Sequence, residues 1–96
     1  MEEQELLDKC KKGLGITGTY QDDTLKIYID EVKEYMLGAG VPEQIVNSKK
    51  AVGTIIRGVS DLWDYGSGKT SLSPYFYERV NQLRAVSYTH LRAHET

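Results

Sequence analysis

A single cysteine, Cys10, stands in the whole chain, so no disulfide can form within it. Histidine occurs only as His90 and His94, which leaves residues 1–85 without the general base that a thiol or hydroxyl nucleophile ordinarily needs. Cys10, on an apolar helix position, therefore reads as a small buried hydrophobe. Charge of one sign is also lacking. The chain has 12 Lys and Arg against 14 Asp and Glu, a formal net charge of −2, whereas an autonomous nucleic-acid binder carries a basic footprint. No apolar run reaches the roughly 20 residues of a membrane-spanning helix, and MEEQELLDK lacks the layout of a signal peptide. These absences describe a soluble cytosolic domain with no membrane partner. Its core is small, so assembly is the expected source of extra stability.

What the chain does have is helical periodicity in four segments. The first runs from about Glu2 to Lys12, with Glu2, Glu3 and Glu5 at its start and Lys9, Lys11 and Lys12 at its end, the order a helix dipole favours. Gly13 is its expected stop, with Leu14 folding back as in a Schellman ending. The second starts after Asp22 or Asp23, either of which can cap it. Leu25, Tyr28, Ile29, Val32, Tyr35 and Met36 then fall within an arc of roughly 120°, at about 100° per residue. Gly38-Ala39-Gly40 ends this segment, and Pro42 is placed to open a short helical turn. The third, capped by Asn47 or Ser48, repeats the same spacing in Val52, Ile55, Ile56, Val59, Leu62 and Trp63. Matching stripes and a short connection predict an antiparallel pair, with Trp63 largely buried. The fourth begins at Ser73-Pro74, a cap followed by proline where its missing N–H is harmless, and turns Phe76, Val80 and Leu83 inward. The predicted fold is all-α, a compact four-helix bundle with a Gly/Ser-rich loop between the third and fourth helices.

Motifs that carry chemistry are weak. Gly66-Ser-Gly-Lys-Thr-Ser71 resembles the end of a phosphate-binding loop, but the pattern needs glycine at position 63, which is Trp63, and the segment follows a helix instead of a strand. Asp61 and Asp64 sit one turn apart, and Arg57, four residues before Asp61, can pair with it on a solvated face. Asp22-Asp23 lacks the alternating oxygen ligands of a calcium loop. No catalytic residue, cofactor site or metal site is assigned. Small or exposed apolar residues are more informative. Gly58 and Ala51 form a small flank on the third helix, open either to another helix of the same chain or to a neighbouring subunit. Ile27 lies on the polar side of the second helix. Tyr65, Tyr75 and Tyr77 bracket the loop 66–72, either packing it or forming an interface.

The last segment, residues 86–96 (VSYTHLRAHET), reads like the translation of a transposase adapter used in library sequencing. It is accordingly excluded from fold reasoning, and the spacing of His90 and His94 is given no metal-binding role. The domain proper is 1–85, with the natural sequence beyond Ala85 expected to be missing.

Several features taken in order resemble the small phage head–tail connector proteins. They are Asp22-Asp23 opening into Leu25, Tyr28 and Ile29, the Gly38/Gly40-Val41-Pro42 break, Val59-Ser-Asp-Leu-Trp63, and Leu72-Ser-Pro with Phe76 and Leu83. The resemblance covers nearly all of residues 5–84. It implies a structural virion protein of a phage or prophage, not an enzyme, made in the bacterial host cytoplasm and placed at the head–tail junction. It implies subunits that form a homo-oligomeric ring beneath the portal protein and complete the head after DNA packaging. That ring offers a surface to the tail or to a tail-completion or stopper protein, with DNA only as cargo in its channel. The expected interface residues are Ile27, Ala51, Gly58, Tyr65, Gly66, Gly68, Lys69, Tyr75 and Tyr77. The competing reading is a small helical DNA-binding regulator. It would need a basic exposed face on the third helix, which offers Lys49, Lys50 and Arg57 against Asp61 and Asp64.

Overall fold

A computed structural model describes residues 2–63 and 72–95, with residues 86–95 as backbone. The elements are α1 (Glu3–Leu14), α2 (Asp22–Gly38), α3 (Glu43–Val46), a 3₁₀ turn (Lys49–Ala51), α4 (Val52–Trp63) and α5 (Pro74–Glu95). No strand occurs among the described residues. The fold is all-α, as the periodicity requires, but the described residues form five helices where four were expected. The additional one is the single turn α3, in which the Pro42 carbonyl accepts from the N–H groups of Ile45 and Val46 at 2.9 and 3.0 Å.

Helix ends show where local sequence signals were read one step off. Helix α1 passes through Gly13 and stops at Gly15, which takes φ 71°. Ile16 N–H then reaches the Lys11 carbonyl at 2.9 Å, the long bond of a Schellman ending. Gly13 lies inside the helix where α4 comes close: a Cβ there would stand 2.8 Å from Ile56 Cγ2. Asp22 does not cap α2. It sits inside the first turn and pairs with Lys11 Nζ at 2.8 Å, while the same ammonium donates to the Gly18 carbonyl. Ser48 likewise makes no cap; its hydroxyl donates back to the Ile45 carbonyl at 2.7 Å. The C-terminus of α2 closes as its glycines predict. Gly40 has φ 100°, and Val41 N–H bonds the Met36 carbonyl at 3.0 Å. Arg84 of α5 donates to the Ala39 carbonyl at 3.0 Å, tying that turn to the last helix.

Helix α4 is the centre of the bundle and packs against α1, α2 and α5. Tyr28, early in α2, meets Trp63, at the end of α4, edge to face with ring centroids 5.8 Å apart. Val32, further along α2, lies against Gly58, earlier in α4. The two helices are therefore antiparallel. The core joins Leu6, Leu7 and Cys10 of α1, Leu25, Ile29, Val32 and Met36 of α2, Ile55 and Val59 of α4, and Phe76, Val80 and Leu83 of α5. Trp63 is half-buried at the rim of this core, not sealed inside it. Tyr35, placed by its spacing on the inward stripe, is 40% exposed. Cys10 is fully buried, and burial pushes its thiol up to about 11, slightly offset by Lys33. It packs as a hydrophobe and stays protonated at neutral pH.

Asp61 overturns the expectation of a solvated acidic face. The residue is 8% exposed, and the partner of its carboxylate is Ser73, not Arg57. Oδ2 accepts from the Ser73 N–H at 3.0 Å and from the Ser73 hydroxyl at 2.7 Å. The Ser73 oxygen in turn accepts from Phe76 N–H at 3.2 Å, the N-cap bond expected of Ser73-Pro74. A side chain of α4 thus holds the cap of α5 and fixes where α5 starts.

Four outcomes follow, all measurable by urea denaturation. Alanine at Gly58 should destabilise by about 1–3 kcal/mol despite its better helix propensity, because its Cβ would overlap packed neighbours. Alanine at Gly53, with nothing within 4 Å, should stabilise by up to about 1 kcal/mol. Removing the charge in Asp61→Asn should cost about 1–3 kcal/mol. In Asp61→Asn/Ser73→Ala the two losses should sum to less than the separate values, since both act on the bond between the Ser73 hydroxyl and Asp61; fully additive losses would mean the clasp does not exist.

Candidate interaction surfaces

The proposed interface residues do not share one environment. Ala51 is fully buried. A Cβ on Gly58 would stand 2.6 Å from Phe76 Cε1 and 2.9 Å from Val32 Cγ1. Gly58 is thus covered by α2 and α5 of the same chain, and Ala51, in the 3₁₀ turn before α4, is buried as well, so neither is exposed to a neighbour. The reason is that α4 is packed on three sides, so residues beside its apolar stripe are also interior. Tyr65, Gly66, Gly68 and Lys69, with the rest of the phosphate-loop-like segment 66–71, lie outside the described residues. Ile27, Tyr75 and Tyr77 are on the surface, at 64%, 54% and 36% exposure.

Ile27 stands in the middle of an acidic face of α2. Asp23, Asp30, Glu31 and Glu34 are all exposed, and at about 100° per residue they share the side of the helix that carries Ile27. A shallow recess of about 450 Å³ runs along this face, lined by Ile27, Asp30, Glu31, Lys33 and Glu34. Lys33 is the one cation in that lining. An exposed isoleucine ringed by carboxylates makes an apolar anchor inside a charged rim, the usual anatomy of a protein interface.

Tyr75 belongs to a second surface, on α4 and the start of α5. A groove of about 340 Å³ is lined by Gly13, Gly53, Ile56, Arg57, Ser60 and Tyr75. The Arg57 guanidinium lies over the Tyr75 ring, 5.1 Å from its centroid. A cation–π contact of this kind does not use the guanidinium N–H donors in hydrogen bonds. The Asp61–Ser73 clasp is what places Tyr75 there, two residues into α5. Sequence spacing assigned Arg57 to Asp61 and so missed this arrangement; the signal that could have found it is Ser73-Pro74, whose cap needs an external acceptor for its own donors.

Tyr77 joins a third feature, an aromatic cluster across α2 and α5. The Tyr35 ring lies 5.5 Å from Phe76 and 5.6 Å from Tyr77. Desolvation, and secondarily the neighbouring Tyr77, raises the Tyr35 phenol above its ordinary value, so it is neutral in physiological conditions. The cluster lies on the outer side of the α2–α5 seam, where Tyr35 keeps ring contacts while staying 40% exposed.

Among the described residues no helix is long and apolar enough to cross a membrane, and no group of His, Cys, Asp and Glu is arranged to hold a metal ion. The arrangement is a small bundle with chemically distinct outer faces. Residues 4–95 match the family model described as phage gp6-like head–tail connector protein. No curated protein and no solved structure matches the chain. With nearly its whole length inside that match, the chain belongs to the phage gp6-like head–tail connector family.

Proposed function

We propose that this connector sits as a homo-oligomeric ring beneath the portal, closes the DNA-filled head and presents a surface to the tail or a stopper protein. The observation that supports this reading most is the exposed, rim-bounded Ile27 on α2, beside a family match that covers almost the entire chain. The portal, a tail-completion protein and further copies of itself are its partners; DNA passes as cargo. The alternative of a DNA-binding regulator is not favoured. The family match is to a structural connector, and the exposed face of α2 is acidic, which repels a phosphate backbone.

The unit that carries this role is residues 1–85. Phe76, Val80 and Leu83 supply the buried stripe of α5 within that unit; residues 86–96 are read from their sequence as adapter-derived, although the family match itself runs through residue 95. Removing the gene from a phage that carries it should give filled heads and free tails that do not join, and supplying the chain in trans should restore tailed, infectious particles. Normal tailing without it would end the reading. Truncation after Ala85 should leave the melting temperature unchanged, with zinc having no effect on either form. A zinc-dependent rise through His90 and His94 would give the segment a role it is denied here.

A further inference from the structure

The acidic face of α2 and the Arg57 groove of α4 lie on opposite sides of the molecule. Val32 faces Gly58, which sets the contact direction of the α2–α4 pair. Counting about 100° per residue from Val32, the residues Asp23, Ile27, Asp30, Glu31 and Glu34 centre roughly 200° away. Counting in the same way from Gly58, the groove residues Gly53, Ile56, Arg57 and Ser60 also centre roughly 200° away. Each face therefore looks outward from the pair, and the two look in opposed directions.

Their chemistry is complementary. One face has an exposed isoleucine among four exposed carboxylates. The other is a groove whose lining carries one charge, the Arg57 guanidinium over the Tyr75 ring; in sequence it is flanked by exposed Lys49 and Lys50, just before α4, and by exposed Lys9 and Lys12, just before Gly13. Among the described residues no carboxylate bonds Arg57, and its neighbour on the helix, Asp61, is occupied by Ser73. We infer that the occupant of the groove is a second copy of this chain, with Ile27 seated between Gly53 and Tyr75 and the α2 carboxylates against Arg57 and the lysines. The inference rests on the ring reading above and specifies its contact surfaces. Two different patches, opposed in direction, give a heterologous contact that repeats from copy to copy, and such a contact closes a ring whenever the rotation per step allows. An acidic or basic partner of another kind would use one face and leave the other unexplained.

The test couples zero-length carbodiimide cross-linking of the full chain, with equal amounts of light- and heavy-nitrogen protein, to peptide mass spectrometry. Mixed-isotope cross-links should join Glu31 or Glu34 to Lys9, Lys12, Lys49 or Lys50. Intermolecular cross-links confined to other residues, or none at all, would overturn the proposal. Charge reversal gives the second arm. Glu31→Arg alone and Arg57→Glu alone should each lower the yield of cross-linked multimers at least tenfold, and the two together in one chain should restore it. Circular dichroism should show all three variants folded, because both positions are exposed. If both single variants still support tailing while gene removal blocks it, the connector role stands and these surfaces are wrong. If the cross-links and the charge rescue appear but gene removal does not block tailing, the contact stands and the connector role fails.

Discussion

At Gly58 the backbone of α4 is approached from two sides at once, by Val32 of α2 and by Phe76 of α5, and the space left would not hold a methyl group. That approach lets one helix serve as the shared wall for the others. With α4 packed on three sides, its small residues become interior, the stripes of α2 and α5 meet across it, and a short chain gathers a contiguous core. The glycine is unfavourable to the helix taken alone. It is retained where packing decides, while Gly53, on the open side of the same helix, meets nothing.

Polar contacts then set how α5 lies on that wall. Asp61 holds the cap residue Ser73 at one end, and Arg84 reaches the Ala39 carbonyl at the other. Between them Phe76, Val80 and Leu83 are buried. Because Asp61 fixes the start of α5, it also fixes Tyr75, whose ring orients Arg57. A buried acceptor, a helix cap, a stacked guanidinium and a surface groove thus form one chain of cause. Losing the carboxylate would disturb the outer surface as well as the seam.

The sequence makes the helices legible wherever a stripe repeats cleanly. Leu25, Ile29, Val32 and Met36, and Phe76, Val80 and Leu83, are buried as their spacing demands. It misleads where a residue has two plausible partners. Asp61 has Arg57 one turn away on its own helix, but the nearer need is the unsatisfied cap of α5, which no local window reveals. Gly13 looks like a helix stop, yet Ile56 across the bundle explains it better, and the stop falls at Gly15. Gly58 and Ala51 have the composition of a close interface and do form one, within the chain instead of between chains. Of the surface residues, Ile27 was identifiable because a lone isoleucine on a charged face has no core to join. The pairing of Arg57 with Tyr75 was not, since it depends on where α5 begins.

If the connector docks beneath the portal as proposed, finished particles must contain it in proportion to the portal. Quantitative mass spectrometry of purified tailed particles, referenced to the portal and major capsid proteins, therefore bears most directly on the central claim. The chain should be found at a fixed ratio to portal, in filled heads as well as in tailed particles, and should be absent from heads that have not yet been packaged. Absence from tailed particles, or an amount that varies from one preparation to the next without relation to portal, would contradict the account.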